Sequence, residues 1–127
     1  MLVLIVDDTA ANLTLASILL EAAGYKYMLA MDAEAARSIL KEFNPGIIIL
    51  DLLLPKTDGF TFCRELRSNS RFEKTAIISM TAYLDDSIAT RAKEAGFDYY
   101  LPKPFTSKEF IELLDSIRDE LHDNTRS

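Results

Sequence analysis

The sequence predicts an α/β fold: a doubly wound, five-stranded parallel sheet with helices on both faces, a (βα)5 unit. Three observations predict it. Short apolar runs alternate with stretches of helical periodicity, five times in strict order. The runs at Leu2–Val6 and residues 47–50 lack polar alternation, which marks strands buried on both faces, as parallel strands are. The polar groups Asp7-Asp8, Asp51, Thr81 and Lys103 all stand just after such runs. Strict strand–helix alternation implies right-handed crossovers.

The first strand is Leu2-Val3-Leu4-Ile5-Val6, ended by Asp7-Asp8. Thr9 can cap the next helix, where Leu13, Ala16, Leu20 and Ala23 recur at helical spacing before Gly24. Residues 25–31 form a weaker strand. Asp32 caps a short helix with the stripe Ala36, Ile39, Leu40 and Phe43, and Asn44-Pro45-Gly46 breaks it. The central strand, Ile47-Ile48-Ile49-Leu50, ends at Asp51, and turn residues Asp58-Gly59 precede a helix carrying Phe62, Cys63 and Leu66. Residues 68–74 read as loop. Residues 76–80 form the fourth strand, ended by Thr81, and Leu84, Ile88, Ala92 and Ala95 mark a helix closed by Gly96. Residues 97–101 form a short fifth strand before Pro102-Lys103-Pro104. Thr106 and Glu109 sit at capping-box spacing, with Phe105 and Phe110 as a hydrophobic staple. Phe110, Leu113, Leu114, Ile117 and Leu121 form the last stripe. One domain, residues 1–121, is expected, followed by a frayed polar tail, 122–127, that contains His122.

At 127 residues the chain can bury one real core. A net charge of -6 with no basic run argues against direct nucleic-acid binding. One cysteine, Cys63, excludes an intrachain disulfide and fits a reducing compartment. No apolar stretch is long enough to span a bilayer, and the start lacks a signal-peptide layout. The expected location is the cytoplasm, with no membrane partner.

In a parallel sheet the strand-end residues share one edge, where open α/β sheets place ligands. Asp7, Asp8 and Asp51 there would repel one another, and a divalent cation relieves this. Hard oxygen donors with room for water suit Mg²⁺. Lys103 supplies a positive charge and Thr81 a hydroxyl. These are the parts for phosphoryl transfer to a carboxylate, with Asp51 as nucleophile. Each has an ordinary reading alone: Asp7-Asp8 as a helix N-terminal pair, Thr81 as a cap, Lys103 as a solvated lysine, Tyr100 as a strand aromatic. Cys63 reads as a small core hydrophobe. Five groups at the ends of four strands make chance a poor explanation.

With Val6-Asp7-Asp8, Asp51 with Pro55 and Asp58-Gly59, Thr81-Ala82, and Tyr100 with Lys103-Pro104, the chain resembles the receiver domain of two-component response regulators over roughly residues 2–121. The resemblance implies a flavodoxin-like, CheY-like sheet of strand order 2-1-3-4-5. It implies that Asp51 accepts a phosphoryl group from the phosphohistidine of a histidine kinase or histidine phosphotransfer domain. Mg²⁺ would be held by Asp7, Asp8, Asp51 and the backbone carbonyl of Leu53. Lys103 would pair with phosphoryl oxygen, and its bond to Pro104 would be cis. Thr81 and Tyr100 would be the switch pair that remodels the fourth helix, fifth strand and fifth helix for a downstream protein or output domain.

Such a chain is not an enzyme in the usual sense, since it catalyses only its own phosphorylation and dephosphorylation. A monomer or weak dimer is expected. Bulky Leu53 and Tyr83, at positions that influence water access in this family, imply slow self-dephosphorylation. Thr9 replaces a third acidic residue common among relatives. A haloacid dehalogenase-type phosphohydrolase would need a second Asp where Leu53 stands. A flavodoxin-like cofactor binder would need a phosphate-cradling loop where Asp7-Asp8 stand, and a phosphorylation-independent scaffold would not need the full set.

Overall fold

In a computed structural model, residues 1–126 are described, with side-chain environments given through Leu121. The chain alternates β1 (Leu2–Val6), α1 (Ala10–Ala22), β2 (Lys26–Ala30), α2 (Ala33–Leu40), β3 (Ile47–Asp51), α3 (Gly59–Arg67), β4 (Ala76–Thr81), α4 (Asp86–Ala95), β5 (Tyr99–Pro102) and α5 (Ser107–Arg126). The five strands are all parallel, in the order β2-β1-β3-β4-β5. The doubly wound α/β fold read from the sequence is the fold observed.

Strand residues of alternate parity feed two cores, one on each face of the sheet. Leu4, Val6, Ile48, Leu50 and Ile77 pack under α2, α3 and α4, joined by Phe60, Phe62 and Leu66. Val3, Ile5, Ile47, Ile49 and Ile78 pack under α1 and α5, joined by Leu20, Phe110 and Leu114. Every residue of β3 is buried, as its unbroken apolar run requires of a central strand. No described helix is long and apolar enough to cross a membrane.

Local signals set most boundaries. Asp32, Asp58 and Asp85 each cap a helix by accepting the N–H three residues on. Thr106 and Glu109 close a reciprocal capping box, and the Phe105 and Phe110 rings stack at 5.0 Å. Thr9 occupies the N-cap of α1 but makes no side-chain cap bond. Its N–H is instead taken by Asp7 Oδ1 at 2.8 Å.

Five expectations need correcting. Phe43 is not on the α2 stripe: α2 ends at Leu40, Pro45 forbids helix for the residue before it, and Phe43 is exposed. Residues 68–74 are not plain loop. Asn69 caps a 3-10 turn, Ser70–Phe72, that buries Phe72. Leu84 precedes α4 and is 41% exposed, because the chain takes its cap only at Asp85. β5 starts at Tyr99 because Phe97 turns into the core against Phe60, while Asp98 accepts the Ile77 N–H and pairs with Arg67. The helical path of α5 continues to Arg126, since neither Gly nor Pro interrupts it. The rest of the expected tail, Ser127, and the His122 side chain lie outside the described residues.

Candidate functional site

Parallel strands bring their carboxyl ends to one edge, so the residues that follow β1, β3 and β5 converge there. Asp7 leaves β1 with its backbone N–H bonded to the Ala30 carbonyl, and its side chain is fully buried. Asp8 beside it is exposed. Asp51 is the last residue of β3 and is 5% exposed. Carboxylate oxygens of Asp7, Asp8 and Asp51 lie within 4.8 Å of one another.

Lys103 closes the cluster. Its Nζ stands 2.9 Å from Asp7 Oδ2 and 3.0 Å from Asp51 Oδ2. Its backbone N–H donates to the Thr81 carbonyl, which ties the lysine to the end of β4, and the Lys103–Pro104 bond is cis. Asp51 Oδ1 accepts the Leu53 N–H at 3.0 Å. Asn12, one turn into α1, donates to Asp7 Oδ2 at 3.1 Å. No local pattern announces that contact, since an Asn inside a helix has many uses.

Electrostatics follow from burial against charge. Burial pushes the Asp51 carboxyl above its ordinary value, and Asp7 adds repulsion. The Leu53 N–H and the Lys103 ammonium pull the other way without reversing the shift. For Lys103, burial works against the charge, but the hydrogen bonds it donates to Asp7 and Asp51 outweigh it and hold the ammonium above its usual range.

Gly59 is required here by close approach. A Cβ at this position would lie 2.5 Å from the Asp51 carbonyl oxygen and 2.8 Å from Leu52 Cα. The first turn of α3 is therefore pressed against the end of β3, with the Gly59 N–H bonded to the Leu52 carbonyl.

The structure brings Asp7, Asp8, Asp51 and Lys103 together. It does not turn Thr81 toward Asp51: Thr81 Oγ1 accepts the Tyr83 N–H at 3.1 Å and donates to the Tyr83 carbonyl at 3.2 Å. Tyr100 is 48% exposed and lines, with Ser79, Leu84 and Phe97, an open groove of about 400 Å³ between α4 and β5. Leu53 and Tyr83 side chains are 74% and 75% exposed. Cys63 is buried, and burial pushes its thiol up to about 12, so it is a core residue.

The donor set suits a hard divalent cation: three carboxylates, oxygen only, one of them solvent-facing. It can also hold a carboxylate beside a fixed ammonium, ready to receive an anionic group.

Comparison with known proteins gives the family. Residues 3–115 match the family described as the response regulator receiver domain. The DNA-binding dual master transcriptional regulator RpaA of Synechocystis sp. is 38% identical over 109 residues, 86% of this chain and 45% of that protein. The phosphate regulon transcriptional regulatory protein PhoB of Pseudomonas aeruginosa is 31% identical over 115 residues, 91% of this chain and 50% of its own length. The chain thus spans about half the length of the curated relatives it matches.

Among solved structures, the Vibrio cholerae chemotaxis protein CheY4 superposes with a TM-score of 0.88 at 28% identity, over 91% of this chain and 97% of that one. The receiver domain of the Pseudomonas aeruginosa sensor histidine kinase PA1611, solved with magnesium coordinated in its active-site cleft, gives 0.83 at 29% identity, over 91% and 94%. The chain belongs to the response regulator receiver domain family.

Proposed function

We propose that the chain is the phosphoacceptor switch of a two-component phosphorelay. Asp51 attacks the phosphorus of a phosphohistidine on a histidine kinase or histidine phosphotransfer domain. A new O–P bond forms at the Asp51 carboxylate, the P–N bond breaks, and the electron pair returns to the imidazole. The observation that carries this reading is the Asp51 carboxylate held 3.0 Å from Lys103 Nζ at the edge shared with Asp7 and Asp8.

Lys103 would take up charge on the transferring oxygens. The Leu53 N–H holds the Asp51 carboxylate in place. Asp7, Asp8, Asp51 and the Leu53 carbonyl would hold Mg²⁺, which supplies charge neutralisation to the phosphoryl oxygens when bound. Thr81 would exchange its two bonds to Tyr83 for one to the phosphoryl group, and Tyr100 would turn into the groove beneath α4. The α4–β5–α5 face then reports the state to a downstream protein or an output domain. The chain catalyses only its own phosphorylation and dephosphorylation.

Intact mass tests the chemistry. Incubation with acetyl phosphate and Mg²⁺ should add one phosphoryl group, ~80 Da, to the wild type. The gain should vanish without Mg²⁺ and in Asp51→Asn. Folded wild-type protein that takes no phosphoryl group from acetyl phosphate or from any kinase would favour a scaffold. Leu53 carries no polar group that could orient a hydrolytic water, and Leu53 and Tyr83 are both bulky, exposed side chains. The acyl phosphate should therefore decay slowly, and a half-life of seconds would refute that reading.

A further inference from the structure

Asp7 is fully buried, and three donors reach its carboxylate. Oδ1 accepts the Thr9 N–H at 2.8 Å. Oδ2 stands 2.9 Å from Lys103 Nζ and accepts from the Asn12 carboxamide at 3.1 Å. A carboxylate oxygen has no proton to give, so the Asn12 group turned toward it is the NH₂. Asn12 is the third residue of α1 and half-buried. Side chains on a helix lean toward its N-terminus, which carries this one back over the end of β1.

The three donors differ in kind. Thr9 and Asn12 belong to the turn and helix that follow Asp7 directly, so they stay with it. Lys103 arrives from the end of β5 and divides its ammonium between Asp7 and Asp51 Oδ2, 3.0 Å away. When Lys103 turns to the oxygens of a transferring phosphoryl group, Asn12 is the donor that Asp7 Oδ2 keeps. A buried carboxylate oxygen left with no donor is costly and loses its fixed orientation. Asn12 prevents both. It is also neutral, so it satisfies Oδ2 without cancelling the negative charge that draws a cation. A Lys or Arg in its place would donate as well but would compete with the metal.

We propose that Asn12 is a positioning residue of the cation site: its carboxamide NH₂, bonded to Asp7 Oδ2, holds the buried Asp7 carboxylate in the orientation that serves Mg²⁺, with or without Lys103.

Asn12 itself touches neither the cation nor the phosphoryl group; it acts through Asp7. Hydrogen-bond partners of metal-binding carboxylates are worth about 10–100-fold in metal affinity. The inference rests on the reading that Asp7, Asp8 and Asp51 hold Mg²⁺, and the experiment separates the two.

Mg²⁺ titration of the isotope-labelled full chain, without phosphodonor and followed by heteronuclear NMR, gives a dissociation constant. Asn12→Leu, similar in size but without a donor, should raise that constant at least ~10-fold. Asn12→Ala, a better helix former, is the second variant. In the wild type the Asn12 carboxamide signals should move along the same titration curve as the backbone signals of Asp7 and Asp8. In phosphorylation by acetyl phosphate, the Mg²⁺ concentration at half-maximal rate should rise by the same factor in the variants. The rate at saturating Mg²⁺ should stay close to that of the wild type.

A residue that only braces α1 would lower the metal-free melting temperature and leave the Mg²⁺ dissociation constant alone. That outcome would overturn the proposal. So would wild-type carboxamide signals indifferent to saturating Mg²⁺, a result that needs neither variant to fold. Wild-type protein that binds no Mg²⁺ would remove the cation reading itself, and this inference with it.

Discussion

At the scale of single residues, the site depends on how close α3 comes to the end of β3. Gly59 has no Cβ, and one placed there would sit 2.5 Å from the Asp51 carbonyl oxygen. That obstacle is backbone and cannot swing away, so one of the two elements must move. Gly59→Ala should therefore cost about 1–3 kcal/mol, as overpacking does. It should also slow phosphorylation by acetyl phosphate, because the displaced atom belongs to the acceptor residue. Urea denaturation and a rate from intact mass would check both, and wild-type values in the two would show that the contact does not matter. Asp58-Gly59 was legible as a turn, since its residue types suit one. The reason for glycine was not legible, because it lies in a backbone seven or eight positions away that only the fold brings near. Thr81 and Tyr100 were legible as candidates by position. Their orientation was not, for a rotamer answers to its neighbours: Thr81 to the Tyr83 backbone, Tyr100 to the open groove.

Among the elements, α5 is anchored at both ends, and the two ends differ in how far the sequence revealed them. The capping box of Thr106 and Glu109 and the Phe105–Phe110 stack act within five residues, so the pattern could be read directly. The other anchors link distant segments. Tyr25 donates its phenol to Asp115, and Tyr99 donates to Glu120. No local pattern announces a bond across 90 positions. Tyr25 is buried, so Tyr25→Phe should cost about 1–2 kcal/mol and speed amide exchange in the second half of α5. Exchange unchanged in that half would show that the bond anchors nothing. The same bonds give an alkaline limit. The hydrogen bond to Glu120 raises the Tyr99 phenol to about 12, and burial with Asp115 raises Tyr25 above its ordinary value. A raised phenol pKa favours the neutral, donating form in the folded state. Its contribution is complete below about pH 10 and is lost as pH rises through about 12. Tyr99→Phe should flatten part of that loss in stability measured from pH 9 to 12.

For the whole molecule, the sheet edge is a place where folding gathers charge that it does not neutralise. Strict alternation made the parallel sheet legible, and a parallel sheet must put all its strand ends on one side. The convergence of Asp7, Asp8, Asp51 and Lys103 thus follows from topology more than from any local signal. Three carboxylates face one ammonium, in a chain that already carries -6. A ligand that binds only the folded arrangement stabilises it by mass action. Mg²⁺ at about 100 times its dissociation constant should add ~2.7 kcal/mol, which at this length raises Tm by roughly 10 °C. EDTA should reverse the shift. Asp8 is exposed and has no bond to Lys103, so Asp8→Asn should leave the metal-free melting temperature nearly unchanged while removing most of the Mg²⁺ response. Thermal melts of both proteins with Mg²⁺ and with EDTA decide it. A full Mg²⁺ shift in Asp8→Asn would mean that the cation is held elsewhere, and that the acidic pair serves the start of α1 instead.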